Sequence, residues 1–231
     1  MKQDVLGLQF DNVTMDEAVA RAEELLEAPG ASIVVTPNAE IGYEALHDAQ
    51  FRALLNGADL VLPDGAGVVL AAKLRKTPLK QKVAGVDFAD RLLGVLAETG
   101  KTLYLLGGKP GIAELAAEKM REKHPGLQIC GTADGYFKDE GPVIGKINAA
   151  KPDVLFVCVG APKQEIFMHA HRDELDVRLM AGCVRRHGEA RAEVDDPLQP
   201  RMALPPDQRA EALRADDAPA EVSLGGADGA E

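Results

Sequence analysis

The 231 residues contain no tryptophan, three tyrosines and six phenylalanines, so aromatic side chains make up only 4% of the chain. Basic charge is also short: 26 Lys and Arg stand against 37 Asp and Glu, a formal net charge of -11. That balance has the wrong sign for gripping a phosphate backbone and argues against nucleic acid as a partner. Cysteine is scarce as well. Cys130, Cys158 and Cys183 are far apart, form no CxxC pair and sit in or beside apolar runs. They read as buried thiols of a reducing compartment, with no metal role. No apolar run nears the roughly 18 residues needed to cross a bilayer, and Lys2 and Asp4 are not followed by the apolar stretch of a signal peptide. A cytoplasmic protein is expected.

What is present is enough apolar material, 46%, for the core of one ordinary domain. From Val5 to about Cys183, short apolar runs alternate with longer segments of helical period. This pattern predicts an α/β fold, a mostly parallel Rossmann-like sheet with helices on both faces. Strands are expected at Val5–Phe10, Ser32–Thr36, Leu60–Leu62, Thr102–Leu106, Leu127–Gly131, Val154–Val159 and Arg178–Ala181. Helices are expected at Met15–Glu27, Glu40–Leu55, Ala66–Leu74, Asp87–Glu98, Ile112–Lys123, Val143–Ala150 and Gln164–Asp173. Thr14 and Glu17 form a capping box ahead of the first helix. At Val184 the composition changes: residues 184–231 hold 6 Arg, 11 acids, no Lys and no aromatic residue. Residues 1–183 are therefore read as the folded domain and 184–231 as an acidic, disordered tail.

In this architecture ligands bind beyond the carboxyl ends of the strands, so the strand-to-helix turns are the places to look for chemistry. Thr36-Pro37-Asn38-Ala39-Glu40 presents a hydroxyl and an amide at a strand end, although Thr and Asn are also ordinary helix caps. In Leu62-Pro63-Asp64-Gly65-Ala66-Gly67, Asp64 is held between a rigid Pro and glycines that admit a ligand, which suits a general base. Pro-Asp-Gly is equally common turn chemistry. Gly107-Gly108-Lys109-Pro110-Gly111 opens a helix with free backbone N–H groups and suits a diphosphate. It lacks the spacing of GxGxxG or a Walker loop. In Gly160-Ala161-Pro162-Lys163-Gln164-Glu165, Lys163 can offset phosphate charge, Gln164 can bond sugar hydroxyls and Glu165 can cap or orient. The histidines have no metal-ligand spacing and read as packing or surface residues.

Taken in order, these turns resemble the WecG/TagA/CpsF family, glycosyltransferase family 26. The matching stretches are TPNAE (Thr36–Glu40), LPDGAGVV (Leu62–Val69), VAGVD (Val83–Asp87), LYLLGGKPG (Leu103–Gly111), PGL (Pro125–Leu127), DGYF (Asp134–Phe137) and VGAPKQE (Val159–Glu165). The resemblance implies an inverting, metal-independent transferase with no cofactor. It would move N-acetylmannosamine or a related sugar from UDP to an undecaprenyl-diphosphate-linked sugar at the cytoplasmic membrane face, for teichoic acid or surface polysaccharide. Carried over by position, Asp64 matches the catalytic base, with Thr36, Asn38 and Gln164 lining the same pocket and Gly107 and Gly108 facing the nucleotide. Lys163, Glu165, Asp134 and Tyr136 fall in matching motifs and are taken as substrate contacts. Lys82 stands where members of the family often carry Arg, and a lysine cannot make a bidentate phosphate contact. A second copy of the chain is a candidate partner. The rival readings are a catalytically impaired nucleotide-sugar binder of the same family and a Rossmann-like dehydrogenase, the latter opposed by the missing GxGxxG.

The tail also departs from the family, where a Gly-Gly turn and a basic, aromatic segment would follow. Leu198 to Ala210, back-translated with suitable synonymous codons and read one base later, gives CNLEWLYRLIKE, which resembles that segment; Met202 has a single codon and fits. Arg185-Arg186-His187 shifted in the same way can give Gly-Gly-Thr. The tail is therefore read as a frame-shifted version of an ancestral C-terminus. As written it lacks a cationic, aromatic surface, which predicts a soluble, poorly membrane-bound chain of weak or no activity.

Overall fold

The first apolar run, expected as one strand, is a hairpin in the computed structural model, which describes residues 1–183. Leu6 and Gly7 both take positive φ, 56° and 86°, and reverse the chain between β1 (Lys2–Val5) and β2 (Leu8–Asp11). The tail at 184–231 lies outside the described residues. After the hairpin, α1 (Met15–Glu27) starts on the expected capping box: Thr14 accepts from the Glu17 N–H, and Glu17 accepts from the Thr14 N–H.

The remaining elements alternate as expected: β3 (Ser32–Val35), α2 (Ala39–His47), α3 (Ala49–Asn56), β4 (Leu60–Val61), α4 (Ala66–Leu74), α5 (Gly85–Thr99), β5 (Thr102–Gly107), α6 (Ile112–Lys123), β6 (Gln128–Ala133), α7 (Gly141–Ala150), β7 (Val154–Cys158), α8 (Lys163–Ala170) and β8 (Leu179–Gly182). The segment read as one helix from Glu40 to Leu55 is two. Asp48 leaves helical geometry (φ -123°, ψ 102°) and its Oδ1 accepts from the N–H groups of Gln50 and Phe51 at 2.9 and 3.0 Å, so it ends α2 and caps α3.

The six strands from β3 onward form one parallel sheet in the order β4-β3-β8-β7-β5-β6. Period-2 alternation along each strand divides the core. Ile33, Val35, Leu106, Leu155, Val157 and Met180 point to one face, with buried residues of α2, α3, α4, α7 and α8. Val34, Leu103, Leu105, Val154, Phe156 and Leu179 point to the other, with buried residues of α1, α5 and α6. Phe88, Leu92 and Leu155 are among the fully buried side chains, each worth about 1.5–3 kcal/mol. The last of the described strands, β8, lies between β3 and β7, so the carboxyl ends of β4, β3, β8, β7 and β5 form a continuous row.

Candidate active site

That row positions the chemistry. Four strand spacings separate β4 from β5, roughly 19 Å, which suits an extended nucleoside-diphosphate-sugar lying across the edge. Asp64 stands at the β4 end in the turn before α4. Its backbone is tied down on both sides, since the Asp64 N–H donates to the Pro37 carbonyl at 3.4 Å and the Val83 N–H donates to the Pro63 carbonyl at 2.9 Å. Gly65, with φ 86°, takes a backbone that only glycine adopts freely and leads into α4. Asp64 is 9% exposed. Burial pushes the Asp64 carboxyl above the ordinary aspartate range; backbone N–H groups of Gly85 and Gly65 and the Lys82 ammonium pull the other way, and Asp87 adds to the rise. A buried carboxylate with raised basicity, in the field of two backbone N–H groups, fits a proton acceptor.

One strand over, Thr36 follows β3 and is buried at 6% exposure. Asn38 caps α2 through Oδ1, which accepts from the Ile41 N–H at 3.0 Å. That leaves the Asn38 side-chain NH2 as its group for a ligand. The Thr36 and Asp64 turns are packed against each other: a Cβ on Gly67 would come within 2.9 Å of the Ala39 Cβ.

At the centre of the edge, Gln164 and Glu165 open α8 beyond the β7 end, 3% and 2% exposed. Gln164 Nε2 donates to Glu165 Oε1 at 2.9 Å and to the Cys183 carbonyl at 3.3 Å. Gln164 Oε1 and Glu165 Oε2 are buried with no hydrogen-bond partner among the described residues. Burial pushes the Glu165 carboxyl up, offset in part by Gln164 and its own backbone N–H, while the negative field of Glu44 adds to the rise. Beneath this pair the cysteine reading is corrected. Cys158, ending β7, and Cys183, just after β8, are joined as a disulfide with Cα atoms 4.7 Å apart, and Cys130 is an exposed free thiol. The two strands are neighbours only because β8 inserts beside β7, a topological fact that spacing in sequence does not carry.

Gly107 and Gly108 lie at the β5 end with φ of 137° and 75°. A Cβ on Gly107 would collide with the Cys158 carbonyl, so glycine lets β5 and β7 converge there. Gly108 accepts the Gly135 N–H at 2.9 Å, which brings the Asp134–Phe137 turn onto the glycines. In that turn the Asp134 carboxylate accepts the Tyr136 N–H at 2.8 Å, and Tyr136 is 46% exposed. Lys163 Nζ sits 5.0 Å from the Phe137 ring centroid, a cation–π contact that aims the ammonium toward the β5 and β6 side. Lys82 is exposed and shares an open groove with Asp87, Asp90 and Arg91. The influence of the Gly85 N–H on Asp64 was missed in sequence, because α5 begins at Gly85, two residues earlier than its period suggested. Among the described residues no cluster of three or more His, Cys, Asp or Glu could hold a metal ion.

The model of the Glycosyl transferase WecG/TagA/CpsF family matches residues 3–184. A protein of Bacillus spizizenii named N-acetylglucosaminyldiphosphoundecaprenol N-acetyl-beta-D-mannosaminyltransferase is 38% identical over 147 residues, which cover 64% of this chain and 57% of that protein. The protein of the same name from Bacillus subtilis is 35% identical over 141 residues, 61% of this chain and 55% of its own length. The one from Staphylococcus aureus strain MRSA252 is 30% identical over 185 residues, 78% of this chain and 72% of its own. The chain thus matches little more than half the length of the two Bacillus relatives.

Proposed function

Because this chain belongs to the WecG/TagA/CpsF glycosyl transferase family, we propose that it moves N-acetylmannosamine from UDP to GlcNAc-diphosphoundecaprenol, with inversion at the anomeric carbon. The observation that carries this reading is Asp64, buried at a strand end with its carboxyl pushed up and backbone donors around it. In the reaction Asp64 takes the proton of the attacking acceptor hydroxyl. The acceptor oxygen forms a bond to the anomeric carbon as the bond to the UDP oxygen breaks, and the electron pair leaves with UDP. Helix α6, entered through Gly107 and Gly108, and the Lys163 ammonium supply positive potential for the departing diphosphate. Thr36, Asn38 and Gln164 offer a hydroxyl, an amide NH2 and an amide oxygen to the sugar.

The relatives' names support the acceptor and the sugar; the UDP donor and the inversion are what the resemblance to the family implies. The experiment is UDP release by the purified chain in EDTA, with UDP-ManNAc, UDP-GlcNAc or UDP-glucose and a lipid-diphosphate-GlcNAc acceptor. Acceptor-dependent release with UDP-ManNAc is expected, and a strict requirement for Mg²⁺ or Mn²⁺ would count against the metal-free mechanism. A second reading, a nucleotide-sugar binder with impaired catalysis, is favoured by the abrupt acidic composition from Val184 onward. UDP binding without release under any donor would select it.

A further inference from the structure

Helix α4 begins at the turn that carries Asp64, and its solvent side is apolar. Ala66, Gly67, Leu70 and Leu74 fall on one stripe at i, i+3 and i+4 spacing, all exposed, while Val68 and Ala72 take the buried side. Leu70 is 57% and Leu74 74% exposed. The neighbouring α2 extends the same surface. Ala39 meets Gly67 where the two helices touch, and one turn further along α2 lies Tyr43, 67% exposed, followed by Leu46 at 41%. Four large apolar side chains therefore stand in solvent beside the catalytic turn, an arrangement that marks an interaction surface.

The charges at the far end of α4 are all basic. Lys73, Arg75 and Lys76 gather at the far end of α4, all exposed, and none makes an ion pair among the described residues. This cluster stands out in a chain of net charge -11. On α2 the exposed acids Glu40 and Glu44 follow Ala39 and Tyr43 one residue further round the helix, and Glu44 also acts on the buried Glu165 of α8. An apolar helix face rimmed by lysine and arginine matches the interface of an anionic bilayer, where apolar side chains enter the acyl boundary and cations meet phosphate headgroups.

We propose that the α2–α4 face, with Tyr43, Leu70 and Leu74 as apolar contacts and Lys73, Arg75 and Lys76 as headgroup contacts, docks on an anionic lipid bilayer. The proposal rests on the reading of the acceptor as lipid-linked. A face that starts at Asp64 would bring the catalytic turn to the surface from which a polyprenyl-diphosphate sugar projects. It involves no residue of the tail, and docking through α4 would replace the expectation of a poorly membrane-bound chain drawn from the tail's composition.

The test is cosedimentation of the full chain with phosphatidylglycerol–phosphatidylcholine vesicles and with phosphatidylcholine vesicles alone. Salt-sensitive binding to the anionic vesicles only is expected. Leu70→Glu/Leu74→Glu and Lys73→Gln/Arg75→Gln/Lys76→Gln should each weaken it about tenfold or more with an unchanged circular dichroism spectrum. Leu115→Glu, on α6 across the sheet, is the control and should bind as the parent does. Absence of vesicle binding by the parent chain, or equal binding by the α4 variants, overturns the proposal. So does a dimer that Leu70→Glu/Leu74→Glu dissociates without any vesicle binding, which would assign the face to a second copy. Transfer to a short-chain soluble acceptor, measured on the same variants, separates the two readings: docking without transfer removes the enzymatic one, and transfer without docking removes this one.

Discussion

Asp64 must be ionised to accept a proton, and burial raises the pH at which that happens. Turnover is therefore expected to climb with pH through an acid limb lying above the ordinary aspartate range. Asp64→Asn should erase that limb and lower turnover by about 10²-fold or more, while UDP affinity by calorimetry stays near that of the parent. Near-normal turnover in the variant would assign the base elsewhere. Burial also raises the Glu165 carboxyl, so its folded value lies above its unfolded one. The stability it contributes is complete below the unfolded value and is lost as pH rises through the folded one. Glu165→Gln removes that loss and keeps a neutral hydrogen-bonding group beside Gln164. The variant should melt higher than the parent at pH 8 and close to it at pH 4 in differential scanning calorimetry. A lower melting point at pH 8 would mean that the ionised carboxylate is needed there.

Elements rather than single residues decide how the site is framed, and Asp48 illustrates how. By ending α2 and capping α3 it lets the two helices take different directions, with α2 leading back from Asn38. Asp48→Ala is expected to destabilise the fold by about 1 kcal/mol, read from urea unfolding; no change would show that packing alone sets the break. The same residue marks where sequence reading stops. Apolar periodicity runs through Glu40–Leu55 without interruption, and only the Asp side chain folding onto Gln50 and Phe51 signals two helices. Asp64, Thr36 and Asn38 were legible because Pro and Gly punctuate their turns and the turns follow apolar runs. The Gly85 N–H was not, since a backbone donor leaves no side-chain signature. The Cys158–Cys183 bond was not either, because nothing local says that β8 lies beside β7. The α2–α4 surface was hidden for a related reason: the sequence of α4 is almost wholly apolar, and only the structure tells which side is covered.

For the whole molecule, the question set by sequence is whether residues 184–231 are in their ancestral reading frame. Sequencing the gene is expected to find codons whose reading one base later encodes the Trp- and Arg-containing segment; codons that do not encode it remove the idea. Restoring the frame should raise both vesicle binding and turnover. The sheet order has its own consequence for how the chain comes to be folded. Among the described residues β8 is the last strand to be synthesised, yet it is central, pairing Ile33 with Met180 on one side and Leu155 with Met180 on the other. Until it emerges, β4 and β3 form one patch of sheet and β7, β5 and β6 another, with no strand between them. The two patches must wait for a partner nearly 150 residues downstream of β3, a late, long-range closure of the kind that slows folding. The binding edge therefore does not exist in any nascent chain that stops short of Leu179, and assembly of the fold and assembly of the site are one event.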